Sequence, residues 1–439
     1  MEQWNEWLWL WGFLPLFVLC ALRWGRRTRL RPLRELPRAL TLPFRREEAR
    51  GTMSPLQAAC TALSASIGTG NIVGTAQALL MGGPGALLWL WIGAGLGMLV
   101  KYGEIVLGQR LGGPMAYIRR ALGKGSARAY GLLALFSAFC MGDLAQANGL
   151  ASALTEALGQ FIPMSANLGL WLRIGLGLSL GALIWYLLRG GAGAVGRTAE
   201  QLVPVMGLAY LGMGAWVLIR CGRRLPGVLR TILELGLEPR AMAGAMLWGL
   251  RRGVFSNEAG LGSAALAHGC LQARDPETHG LWGVFEVTAD TLICTVTGLV
   301  ILCSPVVQPY GSLPGAEALA RALSCFFDPA LAGLLVALSL LLFGFSTILG
   351  ASVFAASCLG SLCGRVPALF VPVWSICVLL GAVLPTGAVF SAADTVNVLM
   401  ALPNLTALFL LAPDGLGAKK GAPGRAPVNG SAWDQNLRA

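Results

Sequence analysis

Two short stretches gather groups that could hold a charged ligand. "SIGTGN" (Ser66–Asn71) and "SNEAGLGS" (Ser256–Ser263) set hydroxyl, amide and carboxylate side chains among glycines, inside otherwise apolar runs. A helix interrupted at such a place presents free N–H groups and positive dipole character at the start of one half, and free carbonyls at the end of the other. The N–H groups suit a carboxylate, and the carbonyls suit an ammonium or a small hard cation. Thr69 and Asn71 flank Gly70 in the first stretch; Ser256, Asn257 and Glu258 do the same in the second. Gly68, Gly70 and Gly74 permit a close backbone approach that a Cβ would block. Such a site fits a zwitterion together with a cation. Covalent chemistry is not expected. Ser263 and His268, the one pair that invites a hydrolase reading, lie five residues apart. That spacing is about 140° around a helix, so the two point apart, beyond the hydrogen-bond reach a nucleophile and base require.

The elements that carry these stretches are membrane helices. Of 439 residues, 55% are hydrophobic and 12% charged, with a mean hydropathy of +0.66. Soluble domains carry about 25% charged residues, so this chain cannot clothe a water-exposed surface. Its net charge of +12 reads as membrane topology, because cytoplasmic flanks collect Lys and Arg. No basic soluble module of the kind that binds nucleic acid is visible. Eleven cysteines, an odd number, mostly sit within apolar runs and read as reduced packing residues. With only two histidines, no transition-metal site is expected, and no cofactor.

Eleven spans are expected, at about 5–23, 55–81, 85–108, 129–160, 168–188, 199–219, 241–268, 281–304, 329–363, 366–385 and 389–412. The start "MEQWNEW" lacks the positive region of a signal peptide. After the first span, residues 23–50 hold ten arginines, which puts the N-terminus outside and this loop in the cytoplasm. Alternation then places 110–128, Arg189, Arg197, Arg365 and the tail inside. The segment 220–240 disagrees, with five arginines on the outer side; its "RTILELGLEP" reads as an amphipathic helix on the surface. The chain divides into an extra helix and Arg-rich loop (1–50), a core (51–412) and a tail (413–439) whose composition predicts disorder.

Setting the first span aside leaves two sets of five. Each opens with one of the polar, Gly-rich spans, and five being odd, the halves enter the membrane from opposite sides. Paired breaks in two inverted halves (51–220 and 241–412) point to the binding site of a secondary transporter. Unwound backbone in lipid costs several kcal/mol per exposed polar group, roughly, and persists only where something satisfies it.

Beside this reading stands a family resemblance. "TALSASIGTGNIVGTAQALLMGGPGALLWLW" (61–91), "GGPMAYI" (112–118) and "RGVFSNEAGLGSAALAH" (252–268) closely resemble the alanine/glycine:cation symporter family. So do "DTLICTVTGLVIL" (290–302), "FGFSTILG" (343–350) and "LMALPNL" (399–405), in order, across most of 50–412. The resemblance implies an all-α LeuT-type fold, a 5+5 inverted repeat preceded by one helix. It also implies import of a small neutral amino acid such as alanine or glycine, coupled to Na⁺ or H⁺, by alternating access in a bacterial or archaeal plasma membrane. It brings Phe255 into the substrate site with Ser256 and Asn257, and matches Gln146 to a glutamine that contacts substrate. Ser346 and Thr347 match a hydroxyl pair that joins carbonyls of the first broken helix around Na⁺; here these are Ser64 and Ile67. One departure stands out: Ala351 replaces a family aromatic of the substrate pocket, which leaves the substrate open.

Other ionisable groups inside spans are functional candidates by default. Asp143, Glu258 and Asp290 are read as gating or coupling groups. Of Glu286 and Asp290, four apart, one is expected to be protonated or paired with Arg251 or Arg252, and Lys101 with Glu104 to form an interfacial ion pair. Two other classes stay open: a channel, and a non-transporting sensor or scaffold on a transporter fold.

Overall fold

The computed structural model describes residues 4, 7–45, 49–159, 161–311, 313–384 and 386–412, with backbone alone over 386–394. The tail expected to be disordered lies outside these residues. Seven of the described helices are long and apolar enough to cross a membrane. The expected spans 55–81 and 241–268 are the two broken helices, and those at 366–385 and 389–412 are apolar helices with shorter described apolar stretches.

A π-helical turn, Leu8–Phe13, leads into α1 (Leu14–Arg27). The first half follows as α2 (Pro55–Ser66), α3 (Thr69–Gly82), α4 (Ala86–Leu111), α5 (Pro114–Ser137), a second π-helical stretch (Ala138–Leu144) continuing into α6 (Ala145–Gly159), α7 (Ala166–Leu188) and α8 (Gly191–Arg220). Next comes α9 (Leu225–Leu237), then the second half: α10 (Pro239–Ser256), α11 (Ser263–Ala267), α12 (Leu281–Cys303), α13 (Gly315–Leu323), α14 (Pro329–Cys363), α15 (Phe370–Val383) and α16 (Thr386–Leu411). The amphipathic helix expected in 220–240 is α9: Leu225, Val228, Ile232 and Leu235 turn inward while Arg230 and Glu234 are exposed.

The expected loop 110–128 is instead helical from Pro114. Its basic residues suggested a hydrated connection. Arg110 ends α4 and the others sit on α5, which bends at Gly123 (φ 91°) rather than unravelling.

Local signals set the boundaries near the first break. Ser54 and Gln57 form a reciprocal capping box, their side chains and backbone N–H groups bonding at 3.1 and 3.0 Å, with Pro55 at the first position of α2. A short antiparallel ladder joins β1 (Ala49–Gly51) to β2 (Leu271–Ala273), with Arg50 opposite Gln272. It ties the chain entering α2 to the chain leaving α11. Gln109 of α4 clamps β2, donating to Leu271 O at 3.2 Å and accepting from Ala273 N–H at 2.9 Å.

Candidate functional site

The first break occupies two residues. Ile67 (φ −80°, ψ 84°) and Gly68 (φ −119°, ψ −167°) leave the helical region between α2 and α3. The Gly68 N–H donates to Ser66 O and Asn71 Oδ1, and the Asn71 N–H donates to Gly68 O. Neither follows the i→i−4 ladder, which would have used the carbonyls of Ser64 and Ile67. Those carbonyls meet hydroxyls of α14 instead: Ser346 Oγ lies 3.4 Å from Ser64 O, and Thr347 Oγ1 lies 3.4 Å from Ile67 O. Each hydroxyl already donates to Phe343 O, at 2.8 and 2.9 Å. Two oxygen pairs at this spacing suit a shared cation, since ligands about 2.4 Å from a hard cation in octahedral array lie about 3.4 Å apart. All four residues assigned to ion binding therefore converge at one place.

Thr69 opens α3 and meets Gln146, whose Oε1 accepts from Thr69 N–H (3.2 Å) and Oγ1 (2.9 Å). Gln146 also donates to Met141 O at 3.1 Å, from the end of the π-helical stretch. A Cβ on Gly68 would stand 2.8 Å from Thr347 Oγ1 and 3.1 Å from Gln146 Oε1, so only glycine lets these groups approach. A Cβ on Gly70 would stand 2.5 Å from Arg252 Nη2. The Arg252 guanidinium thus lies along the glycine face of α3.

The second break is wider. Glu258, Gly260 and Gly262 all take positive φ (51°, 93° and 81°), and for Glu258 this is a conformation disfavoured by roughly 1–2 kcal/mol. Here the protein supplies its own partners. Lys101 Nζ donates to Asn257 O (3.1 Å) at the carbonyl end of α10, and Glu104 Oε1 accepts from Gly262 N–H (2.9 Å) at the amide end leading into α11. A cation at a C-terminal end and an anion at an N-terminal end both match the helix dipole. Asn404 donates to Gly260 O and to Glu104 Oε1, both at 2.8 Å, and Tyr130 OH donates to Leu261 O at 2.8 Å. Tyr117 OH in turn donates to Asn404 Oδ1 at 2.5 Å.

Asp290 of α12 joins the two breaks. Its Oδ1 accepts from Asn71 Nδ2 (2.6 Å) and its Oδ2 from Ser256 Oγ (2.7 Å), so one carboxylate holds a residue from each broken helix. Asn257 is buried, its Nδ2 donating to Gly253 O at 2.5 Å and its Oδ1 facing Thr291 Oγ1 at 3.4 Å. The Phe255 ring packs at a 49° tilt against Trp9, centroids 4.5 Å apart, which brings the N-terminal π-helical turn against the second broken helix. Asp143 stands apart from this group. It is fully buried in the second π-helical stretch, and neither carboxylate oxygen accepts a hydrogen bond among the described residues. Ala351 is buried next to Gly142, whose added Cβ would collide with it.

One sequence reading is corrected. Lys101 and Glu104 are not an interfacial pair: Lys101 bonds Glu286 Oε2 at 3.1 Å, and Glu104 serves the second break. Glu286 is also bound to His268, Nε2 to Oε1 at 2.7 Å, and His268 Nδ1 meets His279 Nε2 at 2.9 Å. The positions were misjudged because α4 runs on to Leu111 with most of its length inside the protein, so its charges lie in the interior. The sequence reading does not single out Tyr130, and Tyr117 and Asn404 lie in "GGPMAYI" and "LMALPNL" with no local sign of this role. Lys101 and Glu104, three apart in an apolar helix, do carry one.

A model of the sodium:alanine symporter family matches residues 1–420. The sodium/alanine symporter AgcS of Methanococcus maripaludis is 33% identical over 440 residues, covering 92% of each chain. The Bacillus subtilis protein named "Probable sodium/glutamine symporter GlnT" is 33% identical over 400 residues, covering 87% of this chain and 81% of its own. Among solved structures, MhsT in complex with L-phenylalanine superposes with a TM-score of 0.63 at 16% identity, over 89% of this chain and 96% of its own. The Eremococcus coleocola manganese transporter gives 0.53 at 14% identity, over 82% and 75%. At these identities the likeness concerns the fold, the LeuT-type inverted repeat.

Proposed function

Since the chain belongs to the sodium:alanine symporter family, we propose that it imports a small neutral amino acid, alanine or glycine in type, driven by Na⁺. The coarser statement is already secure: this is a multi-pass membrane transporter of a cation-coupled amino-acid symporter family, not an enzyme. The observation that carries the finer one is the first break. Its diverted amide bonds leave the Ser64 and Ile67 carbonyls to face the Ser346 and Thr347 hydroxyls.

In this reading Na⁺ binds among those four oxygens. The amino acid binds beside them at Thr69, Gly70 and Asn71, with Gln146 and the Phe255–Ser256–Asn257 segment on the facing side. Glu258 marks the strained turn between α10 and α11. Asp290 senses both broken helices at once and couples occupancy to their relative position. Ligands that contact both halves shift the equilibrium toward the arrangement in which those contacts exist. The N-terminus faces outward and the C-terminus the cytoplasm, across a plasma membrane. The two 33% relatives carry names with different amino acids, so the choice of a small neutral substrate rests on the family.

Purified protein in liposomes, offered radiolabelled alanine under an inward Na⁺ gradient, accumulates it; an H⁺ gradient alone does not drive it. Absence of gradient-driven accumulation of any small amino acid overturns the symporter reading. Accumulation driven by H⁺ alone overturns the choice of ion.

The cation site has its own test. Thr347→Ala removes one charge-contacting oxygen, an interaction of about 1.5–3 kcal/mol. The Na⁺ concentration for half-maximal uptake should rise about tenfold or more, with alanine affinity at saturating Na⁺ little changed. Unaltered Na⁺ dependence would remove Thr347 from the site.

A further inference from the structure

We propose that the cavity between α1 and α4 binds one anionic phospholipid, its phosphate held by Arg26, Arg29 and Arg34. The cavity measures about 270 Å³, and its apolar wall is made by Leu22, Leu30 and Leu99. Its construction is specific. After α1 closes with Thr28 N–H on Trp24 O (2.9 Å), the chain folds back so that Leu30 N–H reaches Gly25 O at 2.7 Å. Arg29 and Leu30 make this turn in consecutive left-handed conformations, φ 53° and 57°. Neither is glycine, so the turn stores strain. Gly25 forms the floor, where a Cβ would come within 3.0 Å of Leu30 Cδ2 and 3.1 Å of Leu99 Cδ1.

The cavity wall is apolar, and the charge of the arginines beside it is uncompensated. Nearby carboxylates are engaged elsewhere: Glu35 binds Arg31 (2.7 Å) and Arg38 (3.0 Å), and Glu277 binds Arg31 and Arg110, both at 2.7 Å. Arg26, Arg29 and Arg34 are exposed and form no ion pair among the described residues. Arg26 lies in the last turn of the apolar α1, and Arg29 and Arg34 follow it, which sets them where hydrocarbon gives way to headgroups. Leu22 and Leu30 are 52% and 44% exposed, so the apolar wall opens to the lipid-facing side.

Three cations over an aliphatic wall match a ligand with a phosphate at one end and hydrocarbon at the other. A free phosphate leaves the leucines unused, and a zwitterionic lipid brings an ammonium toward the arginines. Topology alone would require only that arginines lie on this side. It would not require the turn at Arg29 and Leu30, or a glycine where Leu30 and Leu99 close in on α1.

The full chain in detergent is titrated with phosphatidylglycerol, phosphatidylcholine or glycerol phosphate, and bound lipid is counted by native mass spectrometry. One phosphatidylglycerol per chain should bind, outcompeting phosphatidylcholine and undisturbed by glycerol phosphate. Each Arg→Gln change at 26, 29 or 34 should weaken it about fivefold, and the triple change on the order of a hundredfold. Gly25→Leu fills the floor, keeps every arginine, and should abolish binding. The triple change Arg119→Gln, Arg120→Gln, Arg128→Gln should leave it intact. Equal binding by the Arg26/Arg29/Arg34 variant or by Gly25→Leu overturns the proposal, as does equal loss in the control triple. Competition by glycerol phosphate would replace the lipid with a soluble anion. Should the triple variant not fold, the single changes at these exposed positions give the same decision.

Discussion

Lys101→Met should cost the folded protein about 3–5 kcal/mol, the range for removing one partner of a buried ion pair. Lys101 is 1% exposed and holds Glu286 and Asn257 O together at 3.1 Å each. Methionine fills a similar volume, so what is lost is charge and not packing. Glu286 keeps only the His268 bond as a fixed partner among the contacts described above, and the carbonyl at the end of α10 loses its cation. Thermal unfolding in detergent measures the cost. Lys101→Met with Glu286→Gln should lose less than the two changes summed, because the second removes the stranded charge. Strict additivity would show that the pair does not act as a unit. The same variant loosens the second break, so uptake should fall even in molecules that remain folded.

Gly70→Leu should abolish alanine binding while leaving the fold measurable. The new side chain begins 2.5 Å from Arg252 Nη2 and 3.4 Å from Cζ, on the face of α3 that also carries Gly74. The obstacle is the far end of a flexible arginine and not backbone, so the chain can yield and fold. What cannot be kept is the arrangement of Arg252 along the first break. Overpacking of this kind costs about 1–3 kcal/mol of stability, little enough for the variant to fold. Gly70→Ala should fall between. The measurement is equilibrium binding of labelled alanine to purified protein at saturating Na⁺. Wild-type affinity in Gly70→Leu would show that the substrate binds elsewhere.

These two residues also mark what could be read from the chain in advance. Gly70 and its neighbours announce themselves, because a glycine, threonine and asparagine in one membrane span need a local reason. Ser346 and Thr347 became legible through the family resemblance, and the structure brings them to Ser64 and Ile67. The second break looked like its twin and is not. Its amides and carbonyls are met by Lys101, Glu104, Tyr130 and Asn404, from three helices far from it in sequence. Nothing near Glu258 or Gly260 records that. The start of α5 was missed for a different reason: a run with basic residues reads as hydrated, whereas a helix needs only one face for packing, and Tyr117, Ile118 and Ala127 supply it.

The ladder between β1 and β2 bears on how such a molecule can move. It fastens the approach to α2 to the exit from α11, with Thr52 N–H on Cys270 O at 3.1 Å as a further rung. Half of each broken helix is therefore harnessed to the same crossbar, and Gln109 bolts that crossbar to α4. On this side of the protein the two half-helices can swing as a pair with little penalty. Parting them requires these rungs to be broken first.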